Sequence, residues 1–363
     1  MNKFRLCLVI PSLHPGGMER VMSQLLFYFA GIENLELHLV LYGRSPEVFF
    51  SIPDSIIQHW PKKKFNNSLR FISTIARLKY LRSTIRQVKP GSILSFGERW
   101  NSFVLLALSR LKYPVYVSDR CSPDYHLGLF HELLRKRLYQ YAEGIIVQTK
   151  LAKEIYAKQF KRSIKLKVIG NPIREIPFNS NIKKENIVLT VGRLIPSKNH
   201  SRLIDSFLRL GRSDWKLLIV GGNALKMDLM EELRLKVVSL GAEDRIIFTD
   251  NKPDVEQFYL MSKIFVLASE SEGFPNVIGE AMSAGLPVVA FDCVAGPSDM
   301  ITDNVDGFLV PLHDYNMLES RLILLMSNPE LAERIGNEAR KSIKRFSLSV
   351  IGEEYLSFIA SIN

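Results

Sequence analysis

Short apolar runs alternate along this chain with longer runs in which apolar residues recur every three or four positions. The short runs hold four to six residues, are rich in Val, Ile and Leu, and end at turn residues, as buried strands do. The longer runs are typical of amphipathic helices. Because the two kinds of run alternate on both sides of the Pro- and Asn-containing stretch Gly170–Asn181, we predict an α/β fold with two doubly wound parallel sheets.

The predicted strands form two groups, one on each side of that stretch. For the first sheet they are Leu6–Ile10, Leu37–Tyr42, Ser92–Phe96, Val115–Ser118 and Gly144–Gln148. For the second sheet they are Ile187–Gly192, Lys216–Gly221, Arg245–Phe248, Ile264–Ala268, Val288–Phe291 and Gly307–Val310. Helices are predicted between them, for example over Asn199–Leu210 and Leu225–Leu240.

The chain has 363 residues, more than one hydrophobic core usually serves. We predict an N-terminal domain at 1–175, a C-terminal domain at 180–346, and a last helix at 347–363 that crosses back to the N-terminal domain. Ligands of open α/β sheets bind at the carboxyl ends of the strands. Two facing domains would therefore hold a substrate in a cleft between those ends.

Charge is distributed unevenly between the two halves. Lys and Arg outnumber Asp and Glu 28 to 12 up to residue 178 and trail them 20 to 25 after it, within a net charge of +11. The N-terminal half is thus expected to meet an anion, which charge alone leaves open as nucleic acid, an acidic membrane face or a phosphorylated substrate.

The three cysteines, Cys7, Cys121 and Cys293, lie far apart and have no C-x-x-C spacing. This pattern indicates neither a disulfide framework nor a zinc site, and it fits a reducing cytosol. The first apolar run ends at Pro11 without a signal-cleavage site, and no run approaches the length of a transmembrane helix. We therefore expect a cytoplasmic protein whose membrane contact, if it has one, is peripheral.

Glu272 and Glu280 flank the start of a predicted helix that follows the strand ending at Ala268. The amides of Asn276, Val277 and Ile278 are expected to be free there, and the helix dipole favours a phosphate at that end. The two glutamates are too far apart to share a proton, and each can instead accept from a hydroxyl pair. Taken alone, two such glutamates are more often a solvated loop residue and an ordinary helix residue.

Two further segments follow predicted strands. Arg193 comes directly after Val191-Gly192, and Lys198 lies five residues later, so the two cations can bracket a diphosphate and stabilise its departure. Gly16-Gly17 follows the first strand and lets backbone approach an anion closely, although it matches neither the dinucleotide-binding fingerprint nor a P-loop. Each of these features alone is common on protein surfaces.

Together these motifs resemble those of the family 4 retaining glycosyltransferases of the GT-B fold, and the resemblance covers nearly the whole chain. That family carries three motifs in a fixed order, present here as Gly16-Gly17, Val191-Gly192-Arg193-Leu194 with Lys198, and Glu272 to Glu280. The resemblance implies an acceptor-side N-terminal domain and a nucleotide-sugar-binding C-terminal domain, both Rossmann-like. It implies no metal and no cofactor, because Arg, Lys and helix dipoles take the place of a metal.

The resemblance also assigns roles to residues. Arg193 and Lys198 hold the donor diphosphate, Glu280 the ribose and Glu272 the transferred sugar, and the remaining donor-binding positions are Gly16, Gly17, Gly273, Phe274, Pro275, Asn276, Val277 and Ile278. Many relatives have a His after the strand Val115–Ser118, where this chain has Asp119-Arg120. Asp119 is our candidate for the catalytic contact with the sugar there, with a structural ion pair between Asp119 and Arg120 as the alternative.

Acceptor contacts are predicted at Glu98, Arg99 and Asn101, in the loop after the strand Ser92–Phe96, and at Arg120. A plain surface loop is the alternative. Between Lys62 and Lys89 the chain has nine cations and no carboxylate. Apolar residues at helical spacing within this segment indicate a basic amphipathic helix that binds an anionic membrane, or a domain helix with a solvated basic face. No nucleic-acid recognition motif is present.

We therefore predict a retaining glycosyltransferase that moves a hexose or N-acetylhexosamine from a UDP-sugar to a glycan acceptor. The UDP preference and a polyprenyl-diphosphate-linked acceptor in bacterial surface polysaccharide or glycoprotein glycan assembly come from the resemblance. The enzyme would lie in the cytoplasm at the inner face of the cell membrane. A nucleotide-sugar epimerase of similar architecture and a non-enzymatic binding module are the alternatives.

Overall fold

The structure is a computed structural model that describes residues 3–44, 48–160, 164–179, 181–224, 227–250 and 254–360. It divides into two compact units. One comprises the chain up to Pro172 together with the residues from Leu348 onward, and the other is Ile173–Ser347. We call them the N-terminal and C-terminal domains, and each is described by itself.

The N-terminal domain contains one seven-stranded sheet in the order β3-β2-β1-β4-β5-β6-β7, and every neighbouring pair is parallel. Its strands are β1 (Phe4–Ile10), β2 (Leu35–Leu41), β3 (Ile57–His59), β4 (Ser92–Phe96), β5 (Val115–Ser118), β6 (Gly144–Val147) and β7 (Lys165–Val168). The helices between them are α1 (Gly17–Ala30), α2 (Arg70–Val88), α3 (Glu98–Leu108), α4 (Leu129–Leu138) and α5 (Lys150–Gln159).

The C-terminal domain contains a six-stranded parallel sheet in the order β10-β9-β8-β11-β12-β13. Its strands are β8 (Ile187–Val191), β9 (Lys216–Val220), β10 (Ile246–Thr249), β11 (Ile264–Leu267), β12 (Val288–Asp292) and β13 (Phe308–Pro311). Its helices are α6 (His200–Arg209), α7 (Leu229–Ser239), α8 (Glu256–Met261), α9 (Asn276–Ser283), α10 (Pro297–Met300), α11 (Tyr315–Ser327) and α12 (Pro329–Ser342). The predicted fold class, two parallel sheets crossed by helices, is confirmed.

Helices cover both faces of this second sheet, which explains why its strands read as continuous apolar runs. Along β8, Val188 joins the core cluster under α6 and α11, while its neighbours Ile187 and Leu189 join the cluster under α9 and α12. Because successive side chains of a strand point to opposite faces of the sheet, one strand contributes residues to two cores. Within β8 the one polar residue is Thr190, next to its carboxyl end, and charged side chains appear only beyond the strand.

The last helix, α13 (Leu348–Ile359), belongs to the N-terminal domain. The Tyr28 hydroxyl on α1 donates to the Glu353 carboxylate at 3.0 Å. A Cβ atom added at Gly352 would lie 2.3 Å from the Tyr28 ring, so the glycine allows α13 to pack closely on α1. Among the described residues, none of the helices is both long enough and apolar enough to cross a bilayer.

Candidate functional site

The carboxyl ends of β8 and β9 meet backbone to backbone. The Gly192 amide donates to the Val220 carbonyl at 2.9 Å, and the Gly221 amide donates to the Thr249 carbonyl at 3.1 Å. Gly221 has a φ of +146°, and a Cβ atom there would lie 1.9 Å from the Gly192 carbonyl oxygen. Two glycines therefore fix the position of the loop that presents Arg193, whose side chain is exposed.

Lys198 and Glu272 form an ion pair across the ends of β8 and β11, which are neighbours in the sheet. The Lys198 ammonium donates to the Glu272 carboxylate, and the two side chains are only 15% and 12% exposed. The structure thus brings together two of the predicted site residues that lie 74 positions apart in the sequence.

Backbone contacts hold this pair in place. The Glu270 amide donates to the Ser197 carbonyl at 2.8 Å, and the Asn199 side-chain amide donates to the Ala268 carbonyl at 3.0 Å. Asn199 has a left-handed backbone with a φ of 55°, which turns the chain from the Lys198 loop into α6. The loop after β8 is therefore tied to the loop after β11 on both sides of the ion pair.

The start of α9 differs in one respect from the sequence prediction. Of the three amides expected to be free, that of Asn276 donates to the Phe274 carbonyl and that of Ile278 donates to the Pro275 carbonyl, both at 2.9 Å. The expectation of three free amides is therefore wrong, because the sharp turn at Pro275 uses two of them locally. Among the described residues of this turn, Val277 retains an amide without such a bond.

Glu280 lies inside α9 and is 4% exposed. Its carboxylate accepts a hydrogen bond from the hydroxyl of the fully buried Tyr259 at 3.0 Å. Since Glu272 contacts Lys198 and Glu280 contacts Tyr259, the two glutamates have different partners. The ribose contact assigned to Glu280 stays a prediction.

The loop after β12 packs against the turn Gly273-Phe274-Pro275, which precedes α9. Gly296 has a φ of +100°, and a Cβ atom there would lie 2.3 Å from the Pro275 ring. Phe274 is 8% exposed and its ring packs edge-on against Phe346, with 5.3 Å between the centroids. The Phe274 side chain therefore belongs to the core, and only its main chain is available for a ligand.

Two buried polar residues beside this pair were not singled out from the sequence. Burial lowers the pKa of His200 to about 4; the backbone of Arg193 opposes this effect and Lys198 adds to it. The imidazole is therefore neutral at neutral pH. Ser269, 1% exposed, follows β11 with a buried hydroxyl that has no hydrogen-bond partner among the described residues. Their positions after strand ends were the only feature of the sequence that could have indicated these two residues.

In the N-terminal domain, the structure encloses Asp119 within its own domain. Asn101 and Tyr139 donate to one carboxylate oxygen at 2.8 and 2.6 Å, and Tyr156 donates to the other. Asp119 is 5% exposed; burial raises its pKa to about 7, and the nearby Glu98 carboxylate adds to the rise. In the structure the Asp119 carboxylate thus orders the loop after β5, and its predicted contact with the sugar stays a prediction.

Asn101 and Glu98 also have partners within their own domain. Asn101 is fully buried, accepting from the Ser95 hydroxyl and donating to the Ser118 carbonyl as well as to Asp119. Glu98 is 6% exposed, and one of its oxygens accepts from the backbone amides of residues 120 and 121. The start of α3 points both side chains into the domain, and their predicted acceptor contacts stay predictions.

Arg120 has four internal partners, one of them the Ser118 hydroxyl at 3.4 Å. Its guanidinium donates to the Tyr355 hydroxyl of α13 at 2.9 Å and to the Asn171 side chain, and it lies 4.6 Å from the centre of the Phe96 ring. The alternative of an Asp119–Arg120 ion pair is not what the structure shows, because each side chain has other partners. Of the four predicted acceptor contacts, Arg99 is the one with an exposed side chain.

Gly16 and Gly17 lie at the start of α1. Gly16 is the extended residue before the helix, and a Cβ atom there would lie 2.2 Å from the Glu19 carboxylate. Nothing lies within 4 Å of a Cβ atom added at Gly17. The turn is therefore open at Gly17 and covered at Gly16 by the Glu19 carboxylate. Burial raises the pKa of Glu19.

The basic segment contains α2, which has two distinct halves. Its C-terminal half packs into the core through Leu81, Ile85 and Val88. In its N-terminal turn Phe71 is 78% and Ile72 is 61% exposed. The helix is therefore a domain helix whose first turn presents apolar side chains beside solvated cations.

Comparison with known proteins bears on the whole chain. Residues 172–342, nearly the same as the C-terminal domain, match the family described as "Glycosyl transferases group 1". An alpha-1,4-N-acetyl-D-galactosaminyltransferase of Campylobacter jejuni, named for a GalNAc-containing diNAcBac-PP-undecaprenol, is 27% identical over 366 residues and covers 99% of each chain. The amylovoran biosynthesis glycosyltransferase AmsD of Erwinia amylovora is 27% identical over 350 residues, with 93% and 94% coverage.

A solved structure resembles the chain along its full length. Anabaena HepE, determined in complex with UDP, superposes with a TM-score of 0.84 over 99% of this chain and 100% of its own, at 19% sequence identity. At that identity the likeness concerns the fold, and it confirms the GT-B architecture that the three sequence motifs predicted.

Proposed function

We propose that this chain, a glycosyltransferase of the GT-B fold with a group 1 glycosyl transferase domain at 172–342, transfers a hexose or N-acetylhexosamine from a UDP-sugar to a lipid-linked glycan. The observation that carries the proposal is the Lys198–Glu272 ion pair at the carboxyl edge of the second sheet, beside the exposed Arg193. The named activities of the two curated relatives support the transfer of sugars in glycan assembly.

The proposed donor lies along the carboxyl edge with its diphosphate between Arg193 and Lys198. Lys198 then exchanges the Glu272 carboxylate for phosphate oxygens, which frees Glu272 to accept from a hydroxyl of the transferred sugar. Cations fixed at a poorly solvated edge stabilise the charge that develops on a departing diphosphate better than water does. The Val277 amide at the start of α9 adds a donor to the same anion.

The proposed reaction retains the configuration of the anomeric carbon. Both motif glutamates have other partners in the structure, Lys198 and Tyr259, and neither is placed as a free nucleophile. The leaving diphosphate therefore takes the acceptor hydroxyl's proton on the same face as the bond that breaks, while Lys198 and Arg193 hold it. The new glycosidic bond forms as the sugar–phosphate bond breaks, and UDP leaves protonated.

The acceptor class rests on the Campylobacter relative, whose name places its glycan on undecaprenol diphosphate. On this proposal the N-terminal domain receives the glycan, with Arg99 as the exposed candidate contact. Residues 1–178, which include most of this domain, carry 28 Lys and Arg against 12 acids, and this excess matches an acceptor that carries a diphosphate.

A panel of UDP-sugars tests this function through UDP release, measured with and without a polyprenyl-diphosphate-linked glycan. We expect release with one or a few UDP-hexoses or UDP-N-acetylhexosamines, accelerated by the acceptor. We also expect the rate to be unchanged by excess EDTA, because Arg193 and Lys198 serve in place of a metal. Conversion of the UDP-sugar to another sugar without acceptor would instead identify an epimerase, and loss of release in EDTA would contradict metal independence.

Membrane contact is a separate part of the proposal and concerns the first turn of α2. Phe71 and Ile72 are exposed next to cations such as Arg70, a combination suited to the interface of an anionic bilayer. We expect co-sedimentation with vesicles that contain phosphatidylglycerol, weaker binding as salt increases, and a several-fold loss in Phe71→Ser. Phe178→Ser, an exposed phenylalanine of the other domain, is the control. Binding that ignores lipid charge and salt would contradict membrane contact through this segment.

A further inference from the structure

A cavity of about 530 Å³ lies at the amino ends of the strands of the second sheet, opposite to the edge that carries Lys198 and Glu272. Its wall includes the residues just before or at the start of three strands: Trp215 before β9, Lys263 before β11, and Pro287 before β12. Strands of four or five residues separate the two edges by about 15 Å. We call this cavity the amino-edge pocket.

Cations converge on the amino-edge pocket, although the domain that holds it has more acids than bases. Lys184, Lys263 and Arg340 line it. Asp214, which also lines it, is paired with Arg212 through two hydrogen bonds of 3.0 Å. Asp214 is therefore committed to Arg212. With Glu333 as the second carboxylate of the lining, the pocket has four cations against two carboxylates.

Lys184 shows the effect of this crowding. Desolvation is the largest influence and lowers the pKa of Lys184; Arg340 and then Lys263 lower it further, against an opposing effect of Glu333. No hydrogen bond or ion pair within 4 Å holds the Lys184 ammonium among the described residues. An anion in the pocket would relieve the repulsion between these cations.

The other two cations are positioned by neutral groups. Lys263 donates to the Asn186 side-chain oxygen at 2.6 Å and lies 6.0 Å from the centre of the Trp215 ring. Arg340 donates to the Ala284 carbonyl at 2.8 Å, and Gly285, with a φ of +73°, leaves room for its guanidinium. Both side chains retain further N–H donors for a ligand.

Apolar residues form another part of the wall, among them Ile264, Leu325 and Met326. The other polar residues of the lining are Asn186, Arg212, Glu333 and Asn337. A cavity of a few hundred Å³ with an apolar wall and a few charged groups has the usual composition of a small-molecule site. Inorganic phosphate alone would not contact the apolar residues, and a neutral molecule would form no ion pair with the cations. We propose that the amino-edge pocket binds a phosphorylated small molecule that carries an apolar group, separately from the donor.

Trp215 gives a direct signal for this binding. The chain has three tryptophans, and replacing Trp60 and Trp100, which both lie in the N-terminal domain, by Phe leaves Trp215 as the only one. We call this the single-tryptophan protein. Phenyl phosphate serves as the probe, inorganic phosphate as the anion without an apolar group, and phenol as the apolar group without a charge.

We expect phenyl phosphate to change Trp215 emission saturably, with an affinity at least about tenfold higher than that of inorganic phosphate or phenol. Lys184→Met is expected to weaken phenyl phosphate binding about tenfold, since it removes one of the three cations from an exposed position. Lys183→Met, at the neighbouring residue that does not line the pocket, is the matched control and leaves binding unchanged. The response is also expected to persist in Lys198→Ala, because that residue lies at the other edge.

Three outcomes would overturn the proposal. They are an emission that does not respond to phenyl phosphate, equal binding by Lys184→Met and the unsubstituted single-tryptophan protein, and a response that disappears in Lys198→Ala. Equal affinities for phenyl phosphate and inorganic phosphate would also overturn it, since the apolar wall would then contribute nothing. None of these results depends on transfer activity, so they are independent of the proposed reaction.

Discussion

Lys198→Ala is expected to lower kcat/KM for sugar transfer by about 100-fold or more. The substitution removes the cation that, on our proposal, stabilises the departing diphosphate, and loss of one such preorganised group costs about 2.7–4 kcal/mol of transition-state free energy. It also leaves Glu272, which is 12% exposed, without its partner. Initial rates of UDP release at varied UDP-sugar concentration measure the effect.

Lys216→Ala is the matched control for this prediction. Lys216 is an exposed lysine at the first position of β9, at the opposite edge of the same sheet. We expect it to retain wild-type rates. Thermal unfolding of both variants separates a lost contact from a lost fold. A folded Lys198→Ala protein with wild-type kcat/KM would remove Lys198 from the donor site.

Gly221→Ala is expected to lower the free energy of unfolding of the C-terminal domain by about 3 kcal/mol or more. The added Cβ atom would lie 1.9 Å from the Gly192 carbonyl oxygen, at a backbone φ of +146° that side chains rarely adopt. Relief of the clash must move the Gly192 loop, so the position of Arg193 and the transfer rate should change as well. Urea unfolding followed through Trp215 emission in the single-tryptophan protein reports on this domain.

Gly211→Ala separates the steric clash from the cost of backbone conformation. Gly211, in the same domain, has a φ of +66°, and nothing lies within 4 Å of a Cβ atom added there. We expect it to cost only about 1–2 kcal/mol, as for other residues in a left-handed conformation, and to leave transfer unchanged. Equal losses in the two variants would show that the contact between the loops after β8 and β9 does not matter.

The sequence predicted the fold class because both sheets are buried on two faces by helices. Such strands are continuous apolar runs that stand out from amphipathic helices, and eleven of the strands were recognised in this way. The edge strands β3 and β7 were missed. β3 has three residues and an exposed Ile57, and β7 includes Lys165 and Lys167, so neither forms an apolar run.

The residues of the candidate donor site could also be predicted from the sequence, because their motifs follow predicted strands. Parallel strands place all such positions at one edge, but the sequence does not say which strands are neighbours. The adjacency of β8 and β11 is what brings Lys198 to Glu272, and it appears only in the structure.

The surroundings of Asp119 and Asn101 in the N-terminal domain could not be predicted in the same way. Asp119 and Asn101 both follow or adjoin strand ends, like the donor motifs, yet both side chains point into the domain. Their direction is set by Tyr139 and Tyr156, which come 20 and 37 residues after Asp119 and supply the buried hydroxyls. A position at a strand end therefore does not by itself indicate a ligand contact.

Direct detection of the glycosylated acceptor tests the central claim most directly. The chain is incubated with the UDP-sugar selected from the panel and a polyprenyl-diphosphate-linked glycan, and the acceptor is analysed by mass spectrometry and NMR. We predict an acceptor heavier by one sugar residue, with one UDP released per transfer and the anomeric configuration of the donor retained. An unchanged acceptor with every UDP-sugar, or a product of inverted configuration, would contradict the account.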